Sequence, residues 1–171
     1  MASINPRDIR GITLLSIEEA KKVHEKLRSL EENGHVHWWW LRTPGYIQHS
    51  AACVRDDGSL YDHGIDVSNK NLCIRPALRI RNHLFSGLKK LDEIEIFDCA
   101  WTVITDDLIL CDNVLGNMAF RKDSDTPDAN DYERSDIKIW LENWLEEQPE
   151  IKTYRAEQRA LHARVEAMWR D

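Results

Sequence analysis

Apolar residues at helical spacing follow a clear start signal near the N-terminus. Ser16 is a good N-cap residue, and Glu19 lies three positions further on, which is the spacing of a capping box. Apolar residues then recur every three or four positions as far as Leu30, and Asn33-Gly34 is a typical helix end. The pattern predicts one helix within residues 16–34, preceded by a short buried strand over residues 12–15.

Two more amphipathic helices are predicted towards the C-terminus. Ser135 can cap the first, and its apolar face is formed by Ile137, Trp140, Leu141, Trp144 and Leu145. Pro149 either ends this helix or lies in the first turn of the next one. The apolar stripe of the last helix consists of Ile151, Tyr154, Leu161, Val165, Met168 and Trp169. This stripe either packs on the domain or pairs with its own copy in a homodimer.

The middle of the chain alternates short apolar runs with turn signals. Runs at 38–41, 51–54, 60–67 and 72–80 are separated by Pro44-Gly45, by Asp57-Gly58 and by a turn at 69–71. This spacing predicts an antiparallel meander. Residues 94–110 are predicted to form a further pair of strands, residues 81–93 a connection, and residues 121–134 a polar loop.

Composition bounds the class of protein. The chain has 171 residues, of which 42% are hydrophobic and 31% charged, as expected for one folded domain. Its longest apolar runs fall short of the roughly 20 residues of a membrane span, and the segment MASINPRDIRG lacks the apolar core of a signal peptide. We therefore expect a cytoplasmic protein that does not enter a membrane.

The net charge of −7 is concentrated in one part of the chain. Residues 92–150 carry −13, whereas residues 1–91 carry +4 and residues 151–171 carry +2. This distribution disfavours a broad basic surface for direct nucleic-acid binding. An acidic face that recognises a partner remains an alternative. A solvated surface is the simpler explanation of the negative charge.

The cysteines and histidines offer little support for a metal or a cofactor. Cys53, Cys73, Cys99 and Cys111 are widely spaced, and without an export signal they are expected to be reduced and buried. His35 and His37 could share one face of a strand, but no third ligand lies nearby in sequence. We predict no metal and no cofactor.

Residues 14–80 carry a resemblance to a known family. They contain LLSIEEA, WWLRTPG, AACVRDDGSL, G-I-D-V and IRPALRI in succession. This succession resembles an uncharacterised domain family of bacterial and phage proteins, whose hallmarks are a WWLR-S-P-G strand, an A-x-V-x-x-D-G hairpin and a closing G-V-R-P-A-L strand. Thr43 replaces the usual serine, and Cys73-Ile74 replaces Gly-Val.

Residues 101–145 resemble the other half of the same family. They contain WTVI, LILCDNVL and NDYERSDIKIWLENWL, and the family hallmark is a Y-x-x-S-x-I-x-x-W-L helix. In the family this half precedes the WWLR half, so the resemblance implies a circular permutant. The predicted organisation is a domain over residues 1–148 with exchanged halves, followed by a C-terminal helix over 149–171. The family is similar in turn to the C-type-lectin-like fold of formylglycine-generating enzymes, which implies an α+β domain with an antiparallel sheet core and two flanking helices.

The hallmark strands contain residues for which a structural role is expected. Side chains alternate along a strand, so either Trp38 and Trp40 or Trp39 should fill the core. The alternative is that an exposed ring of this run stacks on a sugar or a peptide side chain. Arg42 and Arg75 are predicted to be structural arginines paired with a carboxylate such as Asp57 or Asp136. The alternative is that their guanidinium groups hold a carboxylate or phosphate ligand.

Two turns combine aromatic, amide and imidazole side chains, which is typical of recognition loops on a rigid β scaffold. The candidate partner-binding residues are Tyr46, Gln48, His49, Tyr61, Asp62 and His63. Ordinary polar loops are the alternative. No catalytic residue is assigned, because no nucleophile, phosphate-loop or metalloprotease signature is present.

These observations predict a non-catalytic module that binds a protein partner and is encoded by a phage or another mobile element. The first alternative is an acidic, anti-CRISPR-like inhibitor that imitates nucleic acid and blocks a host defence protein. Its acidic face would be formed by Asp123, Asp125, Asp128 and Asp131. The second alternative is an oxidative enzyme that depends on cysteine and a metal. Cys53 and Cys73 lie in the half that corresponds to formylglycine-generating enzymes, but neither lies in a matching motif, so no catalytic role is assigned to either.

Overall fold

The computed structural model describes residues 4–81 and 87–170. It confirms the predicted α+β class, because antiparallel sheets are combined with a few helices. Short 3-10 turns lie at Pro6–Asp8 and Tyr132–Arg134. In chain order the elements are β1 (Ile9–Thr13), α1 (Ile17–Lys21), α2 (Glu25–Arg28), β2 (Leu30–Glu32), β3 (His35–His37), β4 (Trp39–Pro44), β5 (Ser50–Val54), β6 (Leu60–Asp66), β7 (Ala77–Ile80), β8 (Glu93–Ile96), β9 (Cys99–Thr105), β10 (Leu108–Cys111), α3 (Asp136–Glu146) and α4 (Pro149–Arg170).

The largest sheet has five antiparallel strands in the order β1-β7-β10-β9-β8. In its middle, Ile109 of β10 lies opposite Leu78 of β7 and Val103 of β9. Such aliphatic and β-branched side chains pack well on a pleated surface. Strands β1 and β7 come from the first half of the chain and β8–β10 from the second, so the two halves build one sheet. The region predicted to form a pair of strands holds three, β8, β9 and β10.

A smaller sheet has the order β4-β5-β6, which leaves β6 at the edge. The predicted turn at Asp57-Gly58 joins β5 and β6, and Gly58 supplies the positive φ of +85° that this turn needs. The meander was predicted to continue into residues 72–80, and this was wrong for its last strand. Strand β7 lies instead between β1 and β10 of the large sheet, where it pairs with both.

Alternate residues of the central strands face two different apolar clusters. Trp40 and Cys53 belong to the cluster that α3 covers, whereas Trp39 and Val54 belong to the cluster beside α1. Because side chains alternate along a strand, both faces of β4 and β5 are buried. Trp39 and Trp40 are therefore both fully buried, and Trp38 packs at the margin. The prediction that only one face of this run fills the core was wrong.

The first predicted helix is interrupted. Its capping box is present, since the Glu19 amide donates to Ser16 Oγ over 3.1 Å, but α1 ends at Lys21. His24 caps the separate helix α2. Asn33 and Gly34, with φ of 53° and 78°, form the turn of a β2–β3 hairpin and do not end a helix.

The helices near the C-terminus begin as their capping signals indicate. The Lys138 amide donates to Ser135 Oγ over 3.0 Å, and Ile137, Leu141 and Leu145 of α3 are buried. Pro149 is the first residue of α4, which fits its missing N–H group. Across the described residues, no helix combines the length and the apolar character needed to cross a bilayer. Five residues of the predicted connection over 81–93, namely 82–86, lie outside the described residues.

Candidate functional site

Five flat side chains form a continuous row that runs from the ends of β4 and β5 to the edge strand β6 and the β4–β5 loop. We call Trp38, Tyr46, Arg55, Tyr61 and His63 the aromatic strip. The Tyr46 and His63 ring centroids lie 4.0 Å apart, and those of His63 and Tyr61 lie 5.9 Å apart with an interplanar angle of 23°. The Arg55 guanidinium lies 4.1 Å from the Tyr61 ring centroid and 5.9 Å from that of Trp38. Each member thus contacts the next one, and the row needs no ligand to hold its shape.

The strip is half-buried at one end and exposed at the other. Trp38 and Tyr61 pack partly against the apolar cluster under α3, and their rings meet edge to face at 6.4 Å. His63 is exposed, and Tyr46 exposes 65% of its surface. The buried end anchors the row, while the exposed end offers ring surface to solvent.

The loop that carries Tyr46 depends on the absence of a side chain at Gly45. The Gly45 amide donates to the Ser50 carbonyl over 2.7 Å, and the next amide, of Tyr46, donates to the His63 carbonyl over 3.0 Å. A Cβ atom at position 45 would overlap with this carbonyl oxygen and with Ser50 Oγ. The predicted Pro44-Gly45 turn therefore permits the close approach that places the Tyr46 ring against His63.

A second glycine shapes the strand that carries Tyr61 and His63. Gly64 has a φ of +88°, and a Cβ atom there would lie 2.6 Å from the Ala51 carbonyl oxygen. The β5–β6 register shifts between Ala51 and Cys53, so the edge strand is irregular at this point. Together, the two glycines fix how β6 and the β4–β5 loop meet.

Asp62 holds the exposed end of the strip in place. The Tyr46 hydroxyl donates to Asp62 Oδ2 over 3.0 Å. This hydrogen bond to a carboxylate raises the pKa of Tyr46, because the neutral phenol is the form that donates. Tyr46 is thus tied to β6 through its amide, its ring and its hydroxyl.

The structure brings the predicted loop residues together. Gln48 and His49 are exposed in the same loop as Tyr46, and the His49 carbonyl accepts from the Val67 amide over 2.9 Å. A shallow cavity of about 290 Å³ lies beside the strip and is lined in part by His49 and Asp66. The prediction of a turn at Tyr61, Asp62 and His63 was wrong, because these residues lie in strand β6. The two predicted segments nevertheless form one surface.

Asn130 joins this surface to residues 121–134, which we call the acidic loop because they include Asp123, Asp125, Asp128 and Asp131. Its side-chain amide donates to the carbonyl oxygens of Ile47 and Ser50 over 3.1 and 3.0 Å. Asp128 and Asp131 line an adjacent cavity of about 610 Å³ on the far side of Asn130. The acidic loop is therefore a neighbour of the aromatic strip, although eighty residues of sequence separate Asn130 from Ser50.

The four aspartates of the proposed acidic face also hold the loop together. Asp123 accepts from the Asp125 amide over 3.0 Å, and Asp131 caps the 3-10 turn that follows it. Arg134 lies 3.9 Å from Asp128 and 3.7 Å from Asp131. The charges of Asp128 and Asp131 are thus partly offset. Asp123, Asp125 and Asp128 are exposed.

Arg42 has a structural partner, but not one of those named from the sequence. Its guanidinium pairs with Glu19, which also binds Arg79 over 3.2 Å, and donates to the Leu14 carbonyl over 2.8 Å. Burial alone would raise the pKa of Glu19, yet the hydrogen bonds from Arg42 and from the Ser16 amide and the nearby positive charges together lower it. The pairing joins the capping box of α1 to β4.

Arg75 is almost completely buried, with 3% of its surface exposed. It donates to the carbonyl oxygens of Cys111 and Leu27 over 2.6 and 2.7 Å, and its Nη2 lies 3.4 Å from Asp112. Its guanidinium also lies 4.9 Å from the centroid of the Trp39 ring. The partners are fixed by tertiary packing, which brings strand β10 and helix α2 to Arg75.

The carboxylates predicted to pair with these arginines have other roles. Asp57 accepts from Ser59 in the β5–β6 turn over 2.9 and 2.6 Å, and Asp136 accepts from the Lys122 amide over 2.7 Å. The prediction that Asp57 or Asp136 would pair with the hallmark arginines was therefore wrong. Asp57 acts within its own turn, and Asp136 ties the start of α3 to the preceding loop.

The cysteines are free and buried, as predicted. Burial raises the pKa of Cys53 to about 12 and that of Cys73 to about 11. Thiols with such pKa values carry very little thiolate at neutral pH. Among residues 4–81 and 87–170, no group of three or more His, Cys, Asp or Glu side chains could hold a metal ion.

Sequence reasoning missed three residues of this surface. Trp38 lies just before β4 and Arg55 just after β5. The pattern of apolar and polar residues does not indicate that either faces Tyr61. The position of Arg55 directly after an apolar run could have suggested a strand-end cation. Nothing in the sequence indicates that Asn130 bonds the β4–β5 loop.

Comparison with known proteins identifies one related family. Residues 10–82 match a family described as "Domain of unknown function (DUF6273)". The match covers less than half of the chain, and it includes the stretch 14–80 but not the stretch 101–145. No curated protein and no solved structure matches the chain. The match supports the predicted resemblance to an uncharacterised family, whereas the C-type-lectin-like likeness, the exchanged order and the phage origin remain predictions.

Proposed function

We propose that this protein is a non-catalytic binding module and that it holds a protein partner on the aromatic strip. The observation that carries the proposal is the row of five flat side chains, each in contact with the next, of which Tyr46 and His63 are exposed. Tyrosine, tryptophan and arginine are the residue types that most often dominate binding energy at protein interfaces.

The contacts within the strip support this role because they reduce the cost of binding. An exposed side chain loses about 0.5–1.5 kcal/mol of rotamer entropy when a partner immobilises it. Tyr46 already contacts His63 and donates a hydrogen bond to Asp62, so part of that cost is met in the free protein. A strip of fixed tyrosines offers a large contact area with few freely rotating bonds.

The environment of the thiols supports the non-catalytic part of the proposal. An oxidative mechanism would need a reactive thiolate at Cys53 or Cys73, and the raised pKa values of both disfavour this form. The arginines of the hallmark strands donate to protein carbonyl oxygens and carboxylates, which leaves them a structural role.

The proposal is tested by capture from a cell lysate on the immobilised full-length chain. We expect the wild type to retain a partner and the double variant Tyr46→Ala, Tyr61→Ala to lose at least about 90% of it, because each truncated ring of a hot spot costs about 2 kcal/mol or more. The matched control is Ile139→Ala on α3, which removes an exposed apolar side chain elsewhere.

Circular dichroism and a urea titration establish that the double variant keeps its fold. Retention of the same partner by a folded double variant would overturn the proposal. Equal losses from the double variant and from Ile139→Ala would also contradict it, because the strip would then have no special role.

The acidic loop favours a second candidate function, inhibition of a nucleic-acid-binding protein. Its support is the net charge of −13 over residues 92–150 together with the exposure of Asp123, Asp125 and Asp128. Replacing these three aspartates by lysine should then abolish capture of the partner, and added salt should weaken capture by the wild type. Unchanged capture by the charge-reversed variant would exclude this candidate.

A further inference from the structure

Helix α4 leaves the domain after its first turns. Ile151 is buried and Tyr154 is half-buried near the turn at Pro6–Asp8. Every residue from 155 to 170 is exposed. This free part includes Leu161, Val165, Met168 and Trp169, and Met168 and Trp169 expose 78% and 87% of their surfaces. Large apolar side chains concentrated on a projecting helix mark an interaction surface.

The spacing of this surface is that of a coiled-coil seam. Starting from Ile151, alternating steps of three and four residues reach Tyr154, Gln158, Leu161, Val165 and Met168. This is the a/d pattern of the heptad repeat, which produces a narrow seam that packs knobs into holes of a second helix. The first two seam positions pack on the domain, so the seam available to a partner runs from Gln158 to Met168.

We propose that α4 pairs with α4 of a second copy of this chain in a parallel homodimer. In that arrangement each seam residue meets its own counterpart, and Gln158 faces Gln158 of the other copy. A single polar residue at an a position fixes the register of a coiled coil, because any shift would place it against an apolar side chain. The pairing thus explains why one amide interrupts an otherwise apolar seam.

The residues beside the seam favour the parallel arrangement. There, Glu157 of one copy faces His162 of the other, and Arg164 faces Trp169 for a cation–π contact. The antiparallel arrangement that uses the same seam positions would place Arg164 against Arg164 and His162 against His162. Two arginines that face each other at such positions repel, which disfavours the antiparallel pair.

This inference does not depend on the proposed function. If both hold, the dimer carries two aromatic strips, and a partner with two sites would bind the second strip at high effective concentration. Variants of α4 and variants of the strip change different surfaces, so one proposal can fail while the other stands.

Sedimentation velocity of the full-length chain tests the dimer. Measurements from about 1 to 500 µM are needed, because the dimer population depends on protomer concentration. The seam variant Leu161→Glu, Val165→Glu should weaken dimerisation at least about 100-fold. The control Ala156→Glu, Ala163→Glu adds the same charge on the opposite face of the helix and should dimerise like the wild type.

The variants should keep their fold, because the substituted residues are all exposed and glutamate is a good helix former. A change in dimerisation therefore reports on the seam itself. A wild type that is monomeric over the whole range would overturn the proposal. A seam variant that dimerises as tightly as the control would overturn it as well. Circular dichroism at 222 nm verifies that each variant keeps its helices.

The orientation is tested with a new cysteine in the seam. Gln158→Cys should form a covalent dimer under mild oxidation, because equivalent a positions of a parallel pair lie close together. Ala163→Cys on the outer face should run as a monomer on a non-reducing gel. The four native cysteines should not form competing disulfides, because they are buried. A reversible dimer that forms no disulfide through position 158 would contradict the parallel arrangement.

Discussion

Replacement of Arg75 by methionine should destabilise the protein by about 3–4 kcal/mol. Methionine fills a similar volume but donates no hydrogen bond, so the carbonyl oxygens of Cys111 and Leu27 lose their partners. The buried Cys111 carbonyl should account for about 2–3 kcal/mol and the half-buried Leu27 carbonyl for about 1 kcal/mol. Asp112 is 28% exposed, so water can compensate its loss in part.

A urea titration followed by tryptophan fluorescence measures this effect. With a dependence of about 2 kcal/mol per molar urea, the midpoint of Arg75→Met should fall by about 1.5–2 M. Arg75→Lys keeps the charge but cannot reach several acceptors at once, so its midpoint should lie between those of the wild type and the methionine variant.

Two results would refute this reasoning. A midpoint change below about 0.5 M for Arg75→Met would mean that the carbonyl oxygens find other donors. Equal stability of the lysine variant and the wild type would mean that charge alone, and not the planar guanidinium, satisfies this site. Because Arg75 lies far along the chain from helix α2, either result would also question how α2 is attached to the core.

Three further predictions concern local features that stabilise the fold, namely a close-packed glycine, a helix cap and an ion pair. Gly45→Ala should reduce stability by about 1–3 kcal/mol and shift the amide resonance of His63, because the added Cβ pushes the loop off β6; an unshifted resonance would contradict the close approach. Ser135→Ala should cost about 1–2 kcal/mol in urea denaturation by removing the cap of α3, and a cost below about 0.3 kcal/mol would refute the cap. The pKa of Glu19 is lowered from 4.5, so its stabilising contribution is present above pH 4.5 and lost as the pH falls through the lower folded value. The difference in urea midpoint between wild type and Glu19→Gln should therefore be largest near pH 6 and shrink in acid, and a difference that grows in acid would contradict this sign.

Local signals in the sequence predicted much of the fold. The capping box at Ser16, the cap at Ser135 and the turn at Asp57-Gly58 depend on neighbouring residues, and each occurs in the structure. Asn33-Gly34 was misassigned because the same dipeptide can end a helix or close a hairpin. The choice depends on whether the following strand finds a partner, which is a property of the tertiary fold.

The burial of Trp39 and Trp40 shows the same limit. Alternation along β4 predicts correctly that they face opposite sides, but not that both sides are covered. That outcome requires α3 to cover one cluster and α1 the other, with strands of the large sheet contributing side chains to both. The alternation of residues along the chain predicts which side chains share a face of a strand. It does not predict which elements cover each face.

The candidate site was predicted only in part, for a similar reason. Tyr46, Tyr61 and His63 lie in turns or at an exposed edge, where residue type alone suggests recognition. Trp38 and Arg55 join them through strand pairing, which no short-range pattern reveals.

Photo-crosslinking from the aromatic strip tests the central claim most directly. A benzoylphenylalanine introduced at Tyr46 of the full-length chain should form one covalent adduct of reproducible mass with a protein in the lysate. Excess wild-type chain without the probe should reduce the formation of this adduct. The Tyr61→Ala chain should need an at least about 30-fold higher concentration for the same reduction, because a truncated hot-spot ring costs about 2 kcal/mol or more. The same probe at Ile139 should give no such adduct. Equal crosslinking from the two positions, or equal competition by the two chains, would contradict the assignment of the strip as the binding surface.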